Sequence, residues 1–145
     1  PKRIILDRNL EINLKSYIAK SIKNKNTIIF HNSNDKSKIK LLKKRGTTLI
    51  KQSTDKYKNL DLKKILKDLY KMEIRNLLVE GGDILTKNFL QKKLFNEFYM
   101  FRSSKNLSKN KKHVNFTSFS ILNTKYNKHK INSKLATDKL TIYKN

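Results

Sequence analysis

Four short apolar runs punctuate the first 80 residues: RIIL at 3–6, TIIFH at 27–31, TTLI at 47–50 and NLLVE at 76–80. Each is rich in Ile, Leu, Val or Thr and too short for a helix, the pattern of strands buried in a sheet. Between them the apolar positions change period. In DLKKILKDLYKM, Leu62, Ile65, Leu66, Leu69 and Tyr70 recur at i, i+3, i+4, i+7 and i+8 and mark one face of a helix, with Asp61 placed to cap its start. SKIKLLKKRG predicts a shorter helix, with basic residues in its last turn and Gly46 where a left-handed C-terminal residue is wanted.

Strands alternating with helices require crossover connections, so the first half predicts an α/β domain with a mostly parallel sheet flanked by helices. The pattern then changes. A helix is expected at about 84–92, and FNEFYMFRSS reads as a strand whose alternating aromatics favour a core role over base stacking. ILNTKYNKHKI and DKLTIYK predict two closing antiparallel strands, giving one mixed sheet overall. Residues 103–115, rich in Lys and Asn, form the candidate long loop.

At 145 residues one core is expected. No run has the ~18 to 20 apolar residues that span a bilayer, and no secretory signal opens the chain, so a soluble cytoplasmic protein is expected. The absence of cysteine removes disulfide and thiolate chemistry and fits a reducing compartment. The three histidines, His31, His113 and His129, show no metal-ligand spacing, so no metal is expected.

The formal net charge of +24 first suggests nucleic acid. Its make-up weakens that reading. Of 35 basic residues 30 are Lys, and Lys, Asn and Ile supply 62 residues against 11 for Gly, Ala, Arg and Pro, a bias toward AT-rich codons. Specific base and phosphate readout favours Arg, and the five arginines do not cluster. Solvated lysine faces are the favoured explanation, with a basic RNA-binding domain as the rival.

Against this background LLVEGGDILTKNFL, residues 77–90, stands out, because it holds two of the three glycines side by side. Gly81 and Gly82 fall in a tight turn between a predicted strand ending at Glu80 and a predicted helix. Glycine admits positive φ and lets a ligand approach the backbone. The free N–H groups that open a helix carry partial positive charge and suit a phosphate, and ligands in open α/β sheets sit at the carboxyl ends of strands. Two readings stand at this point: a sharp turn beside a solvated Glu80, or a phosphate-binding turn. Neither a dinucleotide fingerprint nor a P-loop is present.

VEGGDILTKNFLQKKLFNEFYMF resembles the signature of the reductase domain of the bifunctional riboflavin-biosynthesis deaminase-reductase, through Val79, Glu80, Gly81, Gly82, Leu85, Phe89, Leu90, Leu94, Asn96 and Glu97. PKRIILDRNLEI is similar to the family's Pro-x-Arg-Val-Val-Leu-Asp strand, through Pro1, Arg3, Ile4, Ile5, Leu6 and Asp7. The resemblance covers residues 1–102 and weakens beyond them.

It implies a dihydrofolate-reductase-like fold and the NADPH-dependent reduction of 5-amino-6-(5-phosphoribosylamino)uracil to its ribitylamino product. By position, Glu80 would contact this phosphorylated ribosylaminopyrimidine. Gly81, Gly82, Asp83, Ile84, Leu85 and Thr86 would hold the cofactor's phosphates through backbone amides, and Arg8 would reach an adenosine phosphate. No catalytic residue is assigned. The alternative is a related reductase of another pyrimidine or pterin. Asp83 departs from a simple phosphate site, since its carboxylate at the start of the helix repels a phosphate unless it turns away. The family's upstream Ser-x-Asp-Gly strand and zinc deaminase signature are absent from these residues. The chain is therefore expected to be part of a reductase domain, catalytically incomplete alone, with a deaminase half fused or separate. A homodimer is a further expectation of the resemblance.

Overall fold

The structure is a computed structural model that describes residues 1–22, 26–104, 116–131 and 138–145, without the side chains of Lys130 and Ile131. It contains two compact units, residues 1–77 and 78–145.

In the first unit, β1 (Arg3–Leu6), β2 (Thr27–His31) and β3 (Thr48–Lys51) form a parallel sheet in that order. β1 and β2 coincide with the predicted runs, and β3 begins one residue later than TTLI. The register places Ile5 beside Ile29 and Ile29 beside Leu49. β2 lies between two neighbours, so all five of its residues are buried. A short helix, α1 (Tyr17–Lys20), was not foreseen; Ser16 caps it through the Ala19 N–H at 3.2 Å.

Two longer helices follow their sequence signals closely. In α2 (Lys36–Lys44) the carboxylate of Asp35 accepts from the Lys38 N–H, and Gly46 ends the helix with φ 89°. Leu42 joins Leu10, Ile22 and Ile29 in one apolar cluster, with Ile39, Ile5 and Leu49 packed against it. In α3 (Leu62–Lys71) the carboxylate of Asp61 accepts from the N–H groups of Lys63 and Lys64, and Leu62, Ile65 and Leu69 are buried. The Gln52 side chain at the end of β3 donates to Asp68 of α3.

The second unit contains α4 (Asp83–Gln91), β4 (Glu97–Arg102), α5 (Phe119–Lys125), β5 (Asn127–Ile131) and β6 (Lys139–Lys144). Its antiparallel sheet has the order β4-β6-β5, in which the two closing strands, β5 and β6, pair antiparallel as expected. Leu90 of α4, Leu122 of α5 and Tyr143 of β6 form its core, and Phe98 and Met100 pack against it. Alternation in β4 thus supplies a core face. Its other face keeps Tyr99 and Phe101 exposed.

Three expectations change. Among the described residues the parallel and antiparallel strands fall in two sheets, where one mixed sheet was expected. ILNTK, read as the start of a strand, lies in α5, so only its continuation enters β5. Most significantly, residues 76–80 are not a strand. Their neighbours on the chain are helical or looped, and no described strand of either sheet pairs with them. Leu77, Leu78 and Val79 stay exposed at 38%, 84% and 41%. Of the candidate loop, residues 105–115 lie outside the described residues, as does His113.

Candidate cofactor-binding turn

Residues 75–81 make no backbone hydrogen bond with any described residue. The chain then turns into α4 at Gly82, whose φ of −72° and ψ of 176° are extended. Neither glycine of the pair has positive φ. The expected dihedral freedom is therefore not what the turn uses. A Cβ on Gly81 would stand 2.8 Å from Leu85 Cδ2 and 3.3 Å from Leu85 Cβ, so a larger residue there would crowd the Leu85 side chain and make it shift. A Cβ on Gly82 would meet nothing within 4 Å among the described residues. Gly82 leaves open space in front of the helix.

Gly82 has no side chain with which to cap α4. Thr86 donates to the Gly82 carbonyl at 3.2 Å, while the N–H groups of Asp83, Ile84 and Leu85 have no acceptor among the described residues. Open N–H groups at the positive end of a nine-residue helix, beside a glycine that excludes nothing, fit an anionic group. Ile84 is 74% exposed at the same place.

Asp83 does turn away. One carboxylate oxygen, Oδ1, accepts from the Thr117 N–H at 3.0 Å, the Ser118 N–H at 3.2 Å and the Ser118 Oγ–H at 2.9 Å. The other, Oδ2, accepts from the Thr117 hydroxyl. These bonds, led by that of the Thr117 hydroxyl, hold the carboxyl below its ordinary range. Ser118 precedes α5 and makes no cap of its own, so Asp83 caps that helix from 35 residues away. Sequence reasoning identified Asp83 but had no signal for its partners.

Glu80 is exposed at the end of the unpaired segment, adjacent to the turn. Residues 80–86 are thus contiguous in one unit. Arg8 lies in the other, just past the carboxyl end of β1. Its Nη1 donates to the Lys58 carbonyl at 2.5 Å and its Nε to Asn9 Oδ1 at 3.1 Å. Two of its five N–H donors are engaged by these bonds. Asp7 is structural, its carboxylate accepting from the N–H groups of Glu11 at 2.8 Å and Ile12 at 2.7 Å.

His31, at the carboxyl end of β2, is 4% exposed, and its Nδ1 has no hydrogen-bond partner among the described residues. Burial first, then Lys51 and Lys43, push its pKa down, against the Ser33 backbone and Asp7. Among the described residues, no helix is long and apolar enough to cross a membrane.

Residues 1–134 match the model of the family described as the RibD C-terminal domain, and the chain belongs to that family. It is 32% identical over 105 residues to the riboflavin biosynthesis protein RibD of Aquifex aeolicus, a match covering 72% of this chain and 28% of that protein. Among solved structures, Acinetobacter baumannii RibD superposes with a TM-score of 0.70 at 18% identity, over 99% of this chain and 37% of that one. A pyrimidine reductase-like protein of Corynebacterium diphtheriae gives 0.67 at 15% identity, over 99% of this chain and 60% of that one. The fold is thus the dihydrofolate-reductase-like α/β fold of RibD reductase domains.

Proposed function

We propose that the chain is part of an NADPH-dependent reductase of riboflavin biosynthesis, acting on 5-amino-6-(5-phosphoribosylamino)uracil. The observation that carries this reading is the start of α4. There a family signature coincides with open N–H groups, an unobstructed Gly82 and a carboxylate committed elsewhere.

NADPH would supply the hydride that reduces the ribosyl group to a ribityl chain. The protein's contribution is position and electrostatics. The N–H groups of Asp83, Ile84 and Leu85 would bind cofactor phosphate with no Gly82 side chain intervening, and the Thr86 N–H secures that first turn by donating to the Gly82 carbonyl. Arg8 would offer its remaining guanidinium donors to an adenosine phosphate, and exposed Glu80 would accept a hydrogen bond from the substrate.

The domain is incomplete in this reading. Residues 76–80 become a strand when further polypeptide of the reductase pairs with them. About two fifths of the reductase-like protein of C. diphtheriae has no counterpart in these residues. A deaminase half, fused or separate, would supply the substrate, and the active assembly would be a soluble cytoplasmic homodimer.

The test joins the chain to the upstream part of its reductase domain and follows NADPH absorbance. Oxidation that requires the ribosylaminouracil phosphate supports the reading. Oxidation with another pyrimidine or a pterin in its place would favour the related-reductase alternative.

A further inference from the structure

Asp83 is the first residue of α4, where a carboxylate ordinarily bonds to the N–H groups of its own helix or faces whatever anion approaches them. Here it does neither. Four hydrogen bonds from Thr117 and Ser118 engage both of its oxygens. Ser118 is fully buried, and its carbonyl accepts the Leu122 N–H at 3.3 Å, which continues the same connection into α5. Leu122 of α5 and Leu90 of α4 share one core cluster. The carboxylate therefore joins the starts of two helices whose bodies already pack together.

We propose that Asp83 is a positioning residue for the cofactor: by holding Thr117 and Ser118, its carboxylate keeps itself off the α4 N–H groups and fixes the turn that presents them to phosphate. This rests on the proposed function of that turn. Its charge is met by donors at the start of α5, so it offers an approaching phosphate less repulsion than a free carboxylate. Asp83→Asn preserves size but replaces one accepting oxygen by a donor, which must face either the Thr117 or the Ser118 groups. The amide cannot satisfy all four donors.

Simple repulsion and positioning predict opposite signs. If Asp83 merely repels phosphate, D83N binds NADPH more tightly and the gain shrinks with salt. If it positions the turn, D83N binds roughly tenfold more weakly, a loss of about 1.4 kcal/mol. Thr117→Val and Ser118→Ala then weaken binding in the same direction and add little to D83N, because all three break one connection. Titration of the chain with NADPH at two salt concentrations reads all of this. In the complete reductase, the same variant raises KM for NADPH and leaves kcat within about twofold.

Amide hydrogen exchange of the unliganded chain judges the connection even if NADPH fails to bind, an outcome that would remove the proposed function alone. Exchange at Thr117, Ser118, Leu122 and Thr86 should accelerate together in D83N and, more mildly, in S118A, which has less effect on folding. Unchanged exchange at Thr86, or tighter NADPH binding by D83N, would overturn the proposal.

Discussion

Residues 27–31 and 76–80 are written in the same aliphatic alphabet, TIIFH and NLLVE, yet only the first is a strand. β2 has a parallel neighbour on each edge, and its Ile29 and Phe30 are completely buried. Residues 76–80 have no neighbour among the described residues, and Leu78 is 84% exposed. A strand is a relation between segments as much as a property of one, because its backbone groups and side chains are satisfied only by what lies alongside. The contrast separates a segment whose partners lie in the described chain from one that, under the proposed function, would pair with further polypeptide.

The largest effects should fall on the first of these segments. Phe30→Ala should destabilise the first unit by about 3 to 5 kcal/mol, because it empties a packed interior site. Leu78→Ala should change stability by less than about 0.5 kcal/mol, as an exposed substitution away from any packing. Urea denaturation of both variants measures the difference. Equal losses would erase the contrast between the two segments.

Leu78→Pro sharpens it. Proline removes a backbone donor that has no acceptor among the described residues, so folding of these 145 residues should be unaffected. In the completed reductase the same change should cost about 3 kcal/mol or more and abolish NADPH oxidation, since a central strand does not tolerate it. Circular dichroism of the chain and activity of the completed reductase report the two halves of this expectation.

His31 gives a smaller, pH-dependent effect on the β2 side. Its folded pKa lies below the 6.5 of an exposed histidine, so its neutral form favours the native state. That contribution is full above about pH 6.5 and is lost as pH falls, because the unfolded chain binds the proton first. His31→Gln should flatten the stability profile below that pH in a denaturation series, leaving the acid dependence due to Asp83 and Glu97, whose pKa values are also lowered and act in the same direction.

The smallest effect concerns glycine. Gly46, Glu73 and Lys93 occupy the same left-handed position after α2, α3 and α4, with φ of 89°, 62° and 52°. In each case the next residue's N–H reaches back to the helix, from Thr47 to Leu42, Ile74 to Leu69 and Leu94 to Phe89. Glu73→Gly and Lys93→Gly should each stabilise by up to about 1 kcal/mol in thermal or urea unfolding. Glycine is thus missing from two places that favour it and retained at 81 and 82.

Local patterns were legible where local physics decides. The period of α3 and its Asp61 cap, the Gly46 stop after α2, and the runs of β1 and β2 could be read directly. α5 was not legible because its cap is Asp83, far away in sequence, and ILN can serve a strand or a helix equally. The glycine pair was legible as a turn but not in its cause. A Cβ at Gly81 would crowd the Leu85 side chain and Gly82 faces open space among the described residues, neither of which a dihedral argument contains. The failure at residues 76–80 has the same origin, since their pattern reports the capacity to pair and not the presence of a partner.

Amide hydrogen exchange at residues 77–80 tests the proposed pairing most directly, measured in the chain alone and with the further reductase polypeptide that the proposed function requires. Rapid exchange is expected in the chain alone and strong protection in the assembly, appearing together with substrate-dependent NADPH oxidation. Protection in the chain alone, or an active assembly in which these amides still exchange freely, would contradict that pairing.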